Sequence, residues 1–174
     1  MSNQSANDNV IALLEAKLLG NVIHNNRAYA RIEGIVRPEH FSDPVHGKIL
    51  SAISALTGAG CVADIPALHS IFEKSNVLDE VGGAAYLYQL PVEGAAHSET
   101  VKLARQVRSV WAVSRLADLG QELVSLGSEA TQGAFHSKLH DFSEVEQHVD
   151  YMCKRVSGLL EKVRSLPPAL GNVP

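Results

Sequence analysis

Leu78-Asp79-Glu80-Val81-Gly82-Gly83-Ala84-Ala85-Tyr86-Leu87-Tyr88-Gln89-Leu90 is a polar turn closed by a glycine pair and followed at once by a short apolar helix. Gly82 and Gly83 can take positive φ, or let another backbone come close, without the clash a Cβ would bring. The residues after them put Ala84, Leu87 and Leu90 on one helical face. Pro91 is expected to close that helix at residue 90.

Upstream of this stretch the chain reads as a series of short helices. Asn9 is a plausible N-cap for a helix over 9–25, with Ile11, Leu14, Leu18 and Val22 three to four residues apart. A second helix over 27–35 stops before Arg37-Pro38, because the residue ahead of a proline is pushed out of the α region. A third covers 44–56, turning Val45, Ile49, Ala52, Ile53 and Leu56 inward until Gly58-Ala59-Gly60 ends it. Asp64 caps a fourth, with Pro66 in its first turn and a stripe of Ile65, Leu68, Ile71 and Phe72. No stretch keeps a strict alternation, so the expected class is all-α with little or no sheet.

Downstream the pattern lengthens. One helix is predicted from Ser98 to about Leu126, with Val107, Val110, Trp111, Val113, Leu116, Leu119 and Leu123 as its apolar set. Gly127 is expected to break it, and Ser128–Gly133 to form a loop. Ser143-Glu144-Val145-Glu146 has the form of a capping box. Val145, Val149, Met152, Val156, Leu159, Val163 and Leu166 then recur at alternating intervals of four and three, the narrow seam of a coiled coil. Two long helices joined by a short connection make an αα-hairpin. Its seam either folds back on its own chain or pairs with a second copy. The second reading is favoured, because an isolated hairpin leaves one flank uncovered. The expected organisation is a disordered leader at 1–8, a globular helical bundle at 9–96, a hairpin at 97–166 and a Pro/Gly linker at 167–174.

Composition narrows the function. Hydrophobic residues are 45% of the 174 and aromatics only 5%, which suits helices packed on helices. A net charge of −4 is the wrong sign for a domain whose main task is gripping phosphates. Arg105, Arg108 and Arg115, like Lys154, Arg155, Lys162 and Arg164, are interleaved with or flanked by acids and read as solvated faces. Cys61 and Cys153 lack metal-like spacing and read as small buried apolar groups of a reducing compartment. Without a basic, apolar leader or a run of about 20 apolar residues, the chain reads as soluble and cytoplasmic.

Catalytic patterns are missing. Gly47-Lys48 is the one Gly-Lys pair, but Ser42 stands where a phosphate loop needs its first glycine, and the pair falls inside a predicted helix. His136 and His140 are four apart, with Asp141, Glu144 or His148 as further ligands, yet Ser137 replaces the glutamate of a His-Glu-x-x-His site. Polar surface histidines are the favoured reading. His40 and His46 flank Asp43 at a loop-to-helix junction, where capping and packing outweigh catalysis. The residues describe a non-catalytic helical interaction module with neither cofactor nor metal of its own.

The order of elements resembles the N-terminal domain of DnaB-type replicative DNA helicases, over roughly residues 9–115 and more weakly to 174. Leu18-Leu19-Gly20 followed by Ile23-His24-Asn25-Asn26, Phe41 with His46 and Ile49, Asp64, the stretch from Leu78 to Leu90, and Ala104, Val107 and Arg108 carry the likeness in order. The chain departs where the family usually has Glu-Ala-Glu, showing Leu13-Leu14-Glu15, and where a charged pair gives way to Ser109-Val110-Trp111.

The resemblance implies a collar. Family members pair their hairpins, assemble three pairs into a ring above a RecA-like ATPase motor, and dock primase and in some systems a helicase loader. The expected function is therefore oligomerisation and primase or loader docking within an ATP-dependent DNA helicase of the primosome. ATP and Mg would belong to the full-length parent, DNA would be met only through the parent hexamer, and 167–174 would lead toward the motor. The expected self-association face (dimer, or hexamer as a trimer of dimers) comprises Val107, Trp111, Leu116, Leu123, Val145, Val149, Met152, Val156 and Leu159. Tyr86 and Tyr88 are the primase-contact candidates that the resemblance implies. Two alternatives stay open: a free-standing phage or plasmid regulator mimicking the collar, and the helicase-binding tail of a primase. Met1 and its polar leader favour the former of these two.

Overall fold

The computed structural model describes residues 2–93, 99–136 and 142–166. Among them every regular element is helical, as the all-α reading requires: α1 (Ser2–His24), α2 (Tyr29–Ile32), α3 (Pro44–Gly58), α4 (Ile65–Lys74), α5 (Gly83–Glu93), α6 (Thr100–His136) and α7 (Phe142–Ser165). Short 3-10 turns at Asn26–Ala28, Pro38–His40 and Asp79–Val81 join the smaller helices. The chain divides into two compact units, Met1–Trp111 and Ala112–Pro174.

The first unit is built around α1, which packs against both α3 and α5. Two neighbours demand a wide apolar face, and α1 supplies one with Leu18, Leu19, Val22 and Ile23 all buried. Ile49, Leu50 and Ile53 of α3, Leu68 and Phe72 of α4, and Leu87 and Leu90 of α5 close the same core. Leu103, Ala104 and Val107 belong to it as well. The boundary therefore falls at residue 111 rather than 96, because the opening turns of α6 are core material of the first unit.

Local chemistry explains most helix ends. The Asp43 carboxylate accepts from the Val45 N–H at 2.8 Å with Pro44 opening α3, and Asp64 accepts from the Ala67 N–H at 2.9 Å at the head of α4. Gly82 and Gly83 both sit at positive φ, +84° and +75°, and the Gly83 N–H returns to the Leu78 carbonyl at 2.9 Å. A Cβ on Gly82 would lie 2.9 Å from the Cβ of Tyr86, so this position needs glycine twice over.

Several expectations are corrected. The helix expected to begin at Asn9 starts at Ser2, since the polar leader holds no proline or glycine to stop it. The second helix is only Tyr29–Ile32, and the Ile35 and Val36 N–H groups turn back to the Ile32 carbonyl. Pro91 does not end α5, which runs to Glu93. Gly127 does not end α6, and 128–133 is helix rather than loop. A helical glycine costs only about 1 kcal/mol, and adjacent Leu126 is buried in the hairpin. Cys61 and Cys153 are exposed, not buried. α7 begins at Phe142, one residue ahead of the expected cap Ser143. Residues 137–141, with His140 and Asp141 of the metal reading, and the linker from 167 lie outside the described residues, as do the side chains of 143–146 and of that reading's His136 and His148.

Candidate interaction site

Within the first unit a buried polar relay fixes α5. Glu15 and His46 are each only 1% exposed, and the Glu15 carboxylate lies 2.7 Å from His46 Nδ1. Glu15 also accepts from the backbone N–H groups of Ser42 at 2.7 Å and Asp43 at 3.3 Å, tying α1 to the entry of α3. With Nδ1–H donated to Glu15, His46 Nε2 is left to accept from the Tyr86 hydroxyl on α5. The His46 and Tyr86 rings stack 6.0 Å apart, and Phe41 meets His46 edge-on at 6.3 Å. A buried carboxylate with three donors and a buried imidazole with both nitrogens engaged form a satisfied network. The arrangement holds helices together and presents no free nucleophile.

This separates the two tyrosines. Residues two apart on a helix point about 200° away from each other. Tyr86 turns inward to the relay, while Tyr88 is 59% exposed. Only Tyr88 offers a large free surface to a partner. The Gly-Lys pair is accounted for too: Gly47 lets α3 approach the Pro38–His40 turn, where a Cβ would meet the Pro38 carbonyl oxygen at 2.8 Å, and Lys48 pairs with Glu80.

Within the second unit the hairpin has two kinds of apolar surface. Its inner seam joins Leu119, Leu123 and Leu126 of α6 to Met152, Leu159 and Val163 of α7 and to Leu166 just past its end. A second stripe lies outside. Val113, Leu116 and Val124 are exposed along α6, and Val149 and Leu160 along α7, with Val156 half-buried beside them. At about 100° per residue, each outer stripe sits roughly a quarter turn from the inner seam, displaced in the same rotational sense. In an antiparallel pair that puts both stripes on one side of the hairpin. The opposite side is polar: Arg155 reaches Glu129 across the helices at 3.3 Å and lies over the Tyr151 ring at 5.8 Å, and Arg115 pairs with Asp118 at 3.2 Å. The hairpin thus has one apolar and one charged side.

The expected self-association residues therefore separate. Val107, 1% exposed, is consumed by the core of the first unit and has no surface to offer. Trp111 is half-buried, its ring 4.4 Å from that of His40. Met152 and Leu159 form the intrachain seam with Leu123 at its edge, packed against Leu119 and Leu126 of α6. Leu116, Val149 and Val156 lie on the outer side, and the Val145 side chain lies outside the described residues. Val113, Val124 and Leu160 complete that side, and the expected set did not include them. Their signal was present as an apolar series at 113, 116 and 124, offset from the series that ends at 126.

The model of the DnaB-like helicase N-terminal domain family matches residues 8–109. The chain is 29% identical over 166 residues to the replicative DNA helicase DnaB of Rickettsia felis, covering 91% of this chain and 34% of that relative. The corresponding protein of Mycobacterium leprae is 26% identical over 159 residues, with 91% and 26% covered. The crystal structure of the N-terminal domain of DnaB helicase from Mycobacterium tuberculosis superposes with a TM-score of 0.68 at 25% identity, covering 84% of this chain and 96% of that one. The chain spans about a third of the length of the first curated relatives it matches.

Proposed function

The chain belongs to the DnaB-like helicase N-terminal domain family, and from that premise we propose that it is the oligomerisation and partner-docking collar of a hexameric replicative DNA helicase. The two-sided hairpin is the observation that carries the reading. Five exposed large aliphatic side chains on one side of a helix pair call for a cover, and a second hairpin is the self-complementary cover that closed assemblies use. Met152 and Leu159 stabilise the hairpin itself, and Val113, Leu116, Val124, Val149 and Leu160 meet the second copy. Tyr88, exposed on α5, is the docking point for primase or a helicase loader. ATP, Mg and DNA are met by the parent protein, in which this domain organises subunits and performs no chemistry.

Light scattering on the pure chain at tens of micromolar tests the reading. The expected species is a dimer or larger, and Val149→Asp should reduce it to the monomer by burying an unpaired charge in the contact. A solution holding only the 18.7 kDa species would sink the proposal. ATP turnover by this chain alone would count equally against it.

A further inference from the structure

We propose that His40 and Trp111 form an acid-sensitive clasp holding the Pro38–His40 turn to α6. The imidazole is buried, and its ring centroid lies 4.4 Å from that of Trp111 at a 40° tilt. Its Nδ1 is an acceptor: the Arg37 backbone N–H donates to it at 3.1 Å, while the His40 N–H returns to the Arg37 carbonyl at 3.0 Å. This reciprocal pair closes the turn against which Gly47 of α3 is seated. The neutral ring must then carry its hydrogen on Nε2.

A proton taken from solvent at Nδ1 removes that acceptor and sets two N–H groups against each other. The Arg37 amide loses its partner, and the new cation also faces Arg37 and Arg108, with only Glu39 opposing them. The ring must swing to relieve this, and in swinging it leaves the indole. Burial holds the His40 pKa below its ordinary 6.5; Glu39 pulls it back up, and Arg108 and Arg37 push it down. The sign follows from the direction. With the folded value depressed, the clasp is intact above about 6.5 and its stabilisation is lost as pH falls from there through the folded value.

Trp111 is the sole tryptophan, so its emission reads the clasp directly. The chain is titrated from pH 7.5 to 5 while Trp111 emission and exchange protection of the Arg37 amide are followed. One transition centred below 6.5, with loss of Arg37 protection at the same midpoint, is the expected result. His40→Asn places an amide oxygen where Nδ1 accepts and cannot titrate, so it should keep the pH 7.5 emission across the whole range. A wild-type emission that does not change, an Arg37 amide protected throughout, or an unaltered transition in His40→Asn would each overturn the clasp. The wild-type exchange measurement decides the matter even if the variant fails to fold.

Discussion

The two units solve the burial problem in opposite ways. Met1–Trp111 gathers side chains from α1, α3, α4, α5 and the opening turns of α6 into one core, with even its ionisable groups Glu15 and His46 enclosed and satisfied. Ala112–Pro174 has only two described helices, so each can turn one stripe toward the other and must leave the next in solvent. A many-sided bundle can be complete by itself. A two-helix layer cannot, and its surplus aliphatic side is where association should be sought.

Substitutions can break this contrast in a defined order of size. Glu15→Ala should be the most damaging, by about 3–5 kcal/mol, because it strands His46 and two backbone N–H groups in the core. Urea unfolding followed by Trp111 emission, which reports on the first unit, would measure it. Leu159→Ala should cost about 2–4 kcal/mol through the cavity it leaves in the inner seam. Amide exchange should then speed up along α7 while the α3 amides keep their protection. Gly82→Ala should cost about 1–3 kcal/mol from strain at positive φ and the approach to Tyr86, seen as a lower melting temperature. Val149→Asp should change the stability of the isolated monomer by less than about 0.5 kcal/mol, since the site is exposed. Its effect belongs in the mass, and a large melting shift with unchanged mass would reverse the roles given to the two stripes. Lys48→Ala should be comparably mild, at roughly 0–0.5 kcal/mol for an exposed ion pair, with no change in mass.

What could be read from the chain in advance was the chemistry of local stops and starts. Asp64 with Pro66, Pro44 after Asp43, and Gly82-Gly83 each announce a backbone event within four residues, and the coordinates place those events there. Signals overridden by tertiary contacts were misjudged. Gly127 is a genuine weak point, but burial of Leu126 against α7 outweighs it. Of the heptad series from Val145 to Leu166, Met152, Leu159, Val163 and Leu166 line the intrachain seam while Val149 is exposed, and spacing alone cannot say which helix fills such a seam. Tertiary packing decided that, because α6 turns Leu119, Leu123 and Leu126 toward them. Glu15 was legible only as a departure from the family's opening. Its role depends on Ser42, Asp43 and His46, which local periodicity cannot bring to it.

The two accessible thiols have a practical consequence. Cys61 lies in the first unit and Cys153 in the second, and both are open to reagents. The native chain thus carries one attachment point on each of its halves, with no other sulfhydryl to mutate away. A pair of spin labels or fluorophores on them makes the unaltered protein its own molecular ruler, reading the spread of distances between bundle and hairpin in solution.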